Sequence, residues 1–201
     1  APTSAIARCH SAAHIDRVQS ACLLSRGLDM DTGTSTESWD AALLAAGAGI
    51  TASDLIMEGK IGRAFCAVRP PGHHAESNRA MGFCLLNNAA ITARHIQDKH
   101  GLKRIAIVDF DAHHGNGTQE IFYSDGSVFY ASTHQWPLYP GTGARSERGV
   151  GNIVNAPLSP MSGSAEFRAA LTETVLPALA AFRPDFLLIS AGFDAHADDP
   201  L

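Results

Sequence analysis

Apolar positions recur along the chain in two rhythms, one helical and one extended. Ile15, Val18, Cys22 and Leu23 repeat at helical spacing and predict a surface helix over 11–26, with Gly27 as its stop. Thr34-x-x-Glu37 reads as a capping box opening a helix over 35–58, whose alanines and glycines allow close packing and which Gly59 closes. Residues 64–68 predict a short buried strand, and Pro70 and Pro71 stiffen the loop that follows. An alanine-rich pattern predicts a helix over 86–100, stopped by Gly101, before an apolar strand over 104–110. Residues 118–123 fit one or two helical turns, 128–132 a strand, 134–151 a long Gly/Pro loop, 164–182 a helix and 185–190 a last strand. Strands alternating with helices imply an α/β architecture, a single-domain parallel β-sheet flanked by helices over 1–201. The chain shows no internal repeat, low-complexity tract or linker.

The apolar strands end in polar groups, where open α/β sheets bind ligands. Ile107-Val108-Asp109-Phe110-Asp111-Ala112-His113-His114-Gly115-Asn116-Gly117 is the richest such end. Acids and imidazole at alternate positions share one face of an extended segment, and a curl at its end lets Asp111 and His113 converge on one cation. Carboxylate oxygen with imidazole nitrogen suits zinc or a similar divalent metal. The blander reading has the acids capping a turn and the histidines packing on the sheet. Two further strand ends tip the balance, one leading to His73 and His74, the other to Asp194. Adjacent strand ends are expected to bring His73 and His74 near Asp109 and Asp111. Asp111, His113 and Asp194 make a three-ligand set that leaves room for water and substrate, as catalytic metals require.

Charge and cysteine content narrow the partners. With 201 residues, 45% of them hydrophobic, the chain can bury a sizeable core, and its formal charge of −5 leaves no basic footprint for nucleic acid. Cys9, Cys22, Cys66 and Cys84 are scattered, which predicts buried, reduced thiols. There is no secretory start, and the most apolar tract, 41–50, is too short to span a bilayer. The expectation is a soluble, cytoplasmic protein with no membrane partner; homo-oligomerisation is left open.

The motifs together resemble the histone deacetylase superfamily, the arginase-deacetylase fold. They are Arg69-Pro70-Pro71-Gly72-His73-His74-Ala75, Gly82-Phe83-Cys84-Leu85-Leu86-Asn87-Asn88, Asp109 to Gly117, Pro140-Gly141-Thr142-Gly143 and Gly192-Phe193-Asp194-Ala195-His196, running on to Leu201. They occur in the family's order along nearly the whole chain. Asn116, where many class I enzymes carry Asp, resembles the class II and bacterial amidohydrolase branch.

By that resemblance Asp111, His113 and Asp194 would hold Zn²⁺. A structural K⁺ or Na⁺ would involve Asp109, the main-chain carbonyls of Asp111 and His113, and Ser132. His73 would pair with Asp109, and His74 with Asn116. A carboxylate partner drives His73 towards imidazolium, whereas an amide partner leaves His74 able to act as general base and then acid. Phe83 and Tyr139 would wall an acyl-lysine tunnel, and Asp31 would grip the substrate backbone at its rim. The implied activity is hydrolysis of an Nε-acetyl-lysine peptide or a small acetylated amine. Polyamine-selective relatives carry Glu where this chain has Leu201, which favours acyl-lysine over acetylpolyamine.

The family's oxyanion tyrosine would lie beyond Leu201, and its first strand before Ala1, so the fold is expected to be incomplete at both ends. A chain ending at Leu201 is accordingly expected to be poorly soluble or weakly active. Two other readings stand beside the deacetylase: a binuclear manganese ureohydrolase, which would need more acids, and a non-catalytic acyl-lysine binder.

Overall fold

The computed structural model describes residues 1–199, and the chain divides into two compact units, Ala1–Gly101 and Leu102–Leu201. The first unit is helical: α1 (Thr3–Ile6), α2 (Ala12–Leu23), α3 (Ser38–Met57) and α4 (Asn88–His100). The Ser11 hydroxyl caps α2 by accepting the His14 amide at 3.2 Å, and Ile15, Val18 and Cys22 bury the predicted face. Helix α2 ends before Gly27, at Leu23, and the chain reverses at Ser25 with φ 49°. Helix α3 packs on α4 so closely that a Cβ at Gly49 would strike the Thr92 hydroxyl. By length and composition α3 could cross a membrane: its 20 residues contain an 18-residue window of mean hydropathy 1.3. It is thus longer than the apolar tract singled out in the sequence.

Two local expectations fail in this unit. The capping box does not form: Glu37 caps α3 without a side-chain bond, while the Thr34 hydroxyl lies 3.0 Å from the Ala21 carbonyl and 2.7 Å from that of Arg26. Residues 64–68 are exposed and form no strand; Phe65 is 73% exposed. An extended segment becomes a strand only by sharing a ladder, and among the described residues none pairs with it. Cys66 is therefore exposed as well, whereas Cys9, Cys22 and Cys84 are buried free thiols as expected.

The second unit holds a parallel sheet in the order β3-β2-β1-β4, built from β1 (Ile105–Asp109), β2 (Val128–Gln135), β3 (Ile153–Leu158) and β4 (Phe186–Ser190). The central strands are buried on both faces, as parallel strands require. Ala106, Phe129, Ala131 and Ala156 line one face and pack beneath Val175, Leu179 and Phe182. Tyr130 and Phe122 of α5 (Asn116–Phe122) are fully buried elsewhere in the unit. Strand β3 had no counterpart in the sequence reading, because Asn155 and Pro157 interrupt its apolar run. Pro157 is tolerated since β3 is an edge strand.

The helix expected over 164–182 is three windings in succession: α6 (Ser164–Ala169), a π-helical segment (Ala170–Val175) and α7 (Leu176–Phe182). Pro177 has no amide to close a helical bond and its ring crowds the preceding turn, which the wider winding relieves.

Candidate metal centre and histidine pair

One rung across three adjacent strands is polar. Asp109 ends β1 in register with Ser132 on β2 and Ser190 on β4. Asp109 is fully buried, accepting the Tyr130 hydroxyl at 3.2 Å on Oδ2 and the Asp111 amide at 3.2 Å on Oδ1. Burial and the Asp109 charge push the Tyr130 phenol well above its ordinary value, so it stays a donor. Beyond the rung, the chain after β1 and the chain after β4 lie side by side. The Phe110 amide donates to the Ser190 carbonyl at 3.2 Å, and the Phe110 and Phe193 rings meet edge to face at 5.5 Å.

This seam brings Asp111, His113 and Asp194 together. His113 Nδ1 stands 2.7 Å from Asp194 Oδ2 and 3.1 Å from Asp111 Oδ1, and one ligand atom from each residue lies within 4.8 Å of the others. Backbone amides hold both carboxylates: Ala112 donates to Asp194 Oδ1 at 3.0 Å and His113 to Asp111 Oδ1 at 2.7 Å. Gly192 lies so close to the Asp111 carboxylate that any Cβ there would overlap it. Hydrogen bonds donated to the Asp111 and Asp194 carboxylates raise the His113 imidazole to about 10. Burial alone would raise Asp194, yet His113 and the Ala112 amide hold it well below the usual carboxylate range. Two anionic carboxylates converging on one imidazole make a pocket short of positive charge, and the donor set fits a divalent metal.

The surroundings are densely hydrogen-bonded. The Tyr139 ring meets the His113 ring nearly edge-on at 6.4 Å and is 40% exposed. His114 is buried with Nδ1 2.8 Å from the Thr142 hydroxyl and Nε2 3.1 Å from Gln119 Oε1; burial, with His134 beside it, pushes it down to about 4. It is a buried, neutral part of the frame around the cluster. Gly143, at φ 95°, has both the His114 and His134 rings where a Cβ would go. Glu147 ties the loop down by accepting the Gly143 amide at 3.0 Å, the Ala144 amide at 3.1 Å and the Gln119 side chain at 2.6 Å. Ser132 is buried with its hydroxyl 2.9 Å from His134 Nδ1, and Asn116 is buried at the start of α5.

The first unit carries the other expected residues. His73 and His74 are buried with ring centroids 4.0 Å apart. Their loop is fixed by contacts only glycine permits: Gly72 abuts the Leu86 and Asn88 backbone, and Gly82, at φ 55°, abuts the His74 ring. Asn88 Nδ2 donates to the Pro70 carbonyl at 3.1 Å, and Asn87 Nδ2 to that of Ala75 at 3.1 Å. Phe83 projects from this loop at φ 65° and is 55% exposed. Thr32 links it to Asp31: the Thr32 hydroxyl accepts the Phe83 amide at 3.2 Å and donates to Asp31 Oδ1 at 3.0 Å. Leu201 lies outside the described residues.

Comparison with known proteins agrees with this geometry. The family model for the histone deacetylase domain matches residues 1–201. The chain belongs to the histone deacetylase family. It is similar to histone deacetylase 10, chloroplastic, of Oryza sativa subsp. japonica, 45% identical over 98% of this chain and 48% of that one. A probable deacetylase of Archaeoglobus fulgidus is 47% identical over 87% of this chain and 49% of its own. The solved structure of the HDA15 HD domain matches with a TM-score of 0.93 at 43% identity, over 100% of this chain and 60% of that one. The chain thus spans about half the length of these curated relatives.

Within the deacetylase domain, the sequence reading passed over Tyr130, Thr32, Gly192 and Glu147 as individual contributors. Tyr130 and Thr32 act through single hydroxyls inside apolar or loop segments, where nothing local marks them. Gly192 stood inside a quoted motif, and its close approach to Asp111 is the physical reason for glycine there.

Proposed function

We propose that the protein is a zinc-dependent amidohydrolase that removes the acetyl group from Nε-acetyl-lysine or a comparable acetylated amine. The observation that carries this reading is the Asp111/His113/Asp194 donor set within a histone deacetylase domain. Zinc held there would polarise the amide carbonyl and lower the pKa of water towards about 7.

The remaining chemistry falls to the chain's own groups. His74 takes a proton from the attacking water as the C–O bond forms. It returns that proton to the amine nitrogen as the C–N bond breaks, releasing acetate and free amine. Asn116 is its proposed neutral partner, and Asp109 the carboxylate that keeps His73 charged as an electrostatic partner. Phe83 and Tyr139 are assigned to the walls that exclude water around the acyl-lysine stem, and Asp31 to the substrate backbone. Asp109, Ser132 and the carbonyls of Asp111 and His113 are assigned to a structural K⁺ or Na⁺. A cytoplasmic setting would suit the four free thiols.

The binuclear manganese reading would require further acids around the same metal, and among the described residues the ligand set is one His and two Asp. The test is acetate release by the full-length protein from an acetyl-lysine peptide and from an acetylpolyamine. His74→Ala is expected to lower the rate by about 10²–10⁴. An unchanged rate would overturn the base assignment, and faster turnover of the polyamine would move the substrate from acetyl-lysine to a small acetylated amine.

A further inference from the structure

We propose that Asp54, His95 and His100 form a second metal site, one that takes a divalent transition ion such as zinc and joins α3 to α4. Both imidazoles aim at the same oxygen: His95 Nε2 is 2.8 Å and His100 Nε2 2.7 Å from Asp54 Oδ1. One ligand atom from each residue lies within 4.8 Å of the others. Zinc binds nitrogen and carboxylate oxygen at about 2.0–2.1 Å in a tetrahedron, which sets neighbouring ligand atoms roughly 3.3 Å apart. Reaching that spacing from Asp54 Oδ1 takes a retreat of about half an ångström by each imidazole.

Several features separate this group from an ordinary surface ion pair. The other carboxylate oxygen, Oδ2, is already engaged by Lys99 Nζ at 2.8 Å, which leaves Oδ1 for a single-point ligand and orients it from outside. The imidazole rings stand 5.9 Å apart at 80°, so they converge by their edges and do not stack. Side-chain exposures of 12%, 14% and 20% for His95, His100 and Asp54 shelter the group while leaving an ion a way in. His100 is the last residue of α4, and Gly101, at φ 70°, turns the chain away immediately after it.

The competing arrangement uses the same atoms as hydrogen bonds only, each Nε2–H donating to Asp54. A metal instead needs both Nε2 lone pairs, and it would bind the folded protein alone, because the three ligands come from two helices.

Zinc titrated into metal-stripped full-length protein distinguishes the two. Asp111→Asn is expected to remove one binding event and to leave a second, which still raises the melting temperature. His95→Gln/His100→Gln is expected to remove that second event and its thermal shift while acetate release is retained. A double variant that binds as many ions as the wild type, or keeps the full thermal shift, would overturn the site. Should the double variant fail to fold, zinc-edge anomalous diffraction from the zinc-soaked wild-type protein decides. A peak between Asp54, His95 and His100 supports the site, and its absence at saturating zinc overturns it. Failure of the hydrolase reading would appear separately, as absent acetate release with this second ion still bound.

Discussion

At the scale of single residues, the candidate metal centre depends on groups outside its donor set. Gly192 gives the Asp111 carboxylate its space, so Gly192→Ala must displace that ligand or the loop after β4. The expected result is weakened zinc binding with a largely unchanged far-UV circular dichroism spectrum, measured by zinc titration against a chelator; unchanged affinity would mean the seam is compliant. Tyr130→Phe removes a hydroxyl that donates to the fully buried Asp109. Leaving a buried carboxylate one donor short is expected to lower stability by about 1–3 kcal/mol, read from the urea midpoint. That Asp111, His113 and Asp194 would cluster was legible in the sequence, because polar groups that end apolar strands gather at one end of an α/β sheet. Tyr130 was not, because its hydroxyl acts across strands, from the middle of an apolar segment whose pattern speaks only of burial.

At the scale of elements, what was legible followed the strength of the periodic signal. Helices α2, α3 and α4 and strands β1, β2 and β4 came close to their expected bounds, since their apolar spacing is strong and their stops are glycines or polar clusters. Residues 64–68 carry the same apolar signature as β1 but have no ladder among the described residues, and β3 has a ladder but a broken signature. Strand formation is a property of pairs, which one segment's composition cannot report. Loop 140–151 illustrates how a single acid can organise an element. Burial alone would raise Glu147, yet the Gln119 side chain and the Ala144 and Gly143 amides lower it below its ordinary 4.5. A depressed carboxyl contributes stability that is present above the unfolded value and lost as pH falls through the folded one. Glu147→Gln should therefore flatten the acid limb of stability below about pH 4.5. A limb as steep as that of the wild type would place the acid sensitivity elsewhere.

At the scale of the whole molecule, membership of the histone deacetylase family rests on motifs spread from Arg69 to Asp194 and on a match along the entire chain. Asp111, His113 and Asp194 lie in one compact unit and His73 and His74 in the other. The sequence order of the motifs made that placement readable. It did not reveal Asp54, His95 and His100, which sit on two helices whose alanine-rich patterns advertise packing alone. The edge strand β4 leaves Leu187 and Ile189 46% and 59% exposed, so this sheet carries an apolar margin among the described residues.

We propose that Asp111, His113 and Asp194 hold the zinc on which amide hydrolysis depends. It is tested most directly by acetate release from an acetyl-lysine peptide, followed in full-length wild-type and His113→Ala protein as zinc is added to metal-stripped enzyme. Zinc is expected to restore turnover in the wild type, and His113→Ala to stay inactive at every zinc concentration. Turnover by His113→Ala at the wild-type rate, or turnover by the wild type without metal, would contradict it.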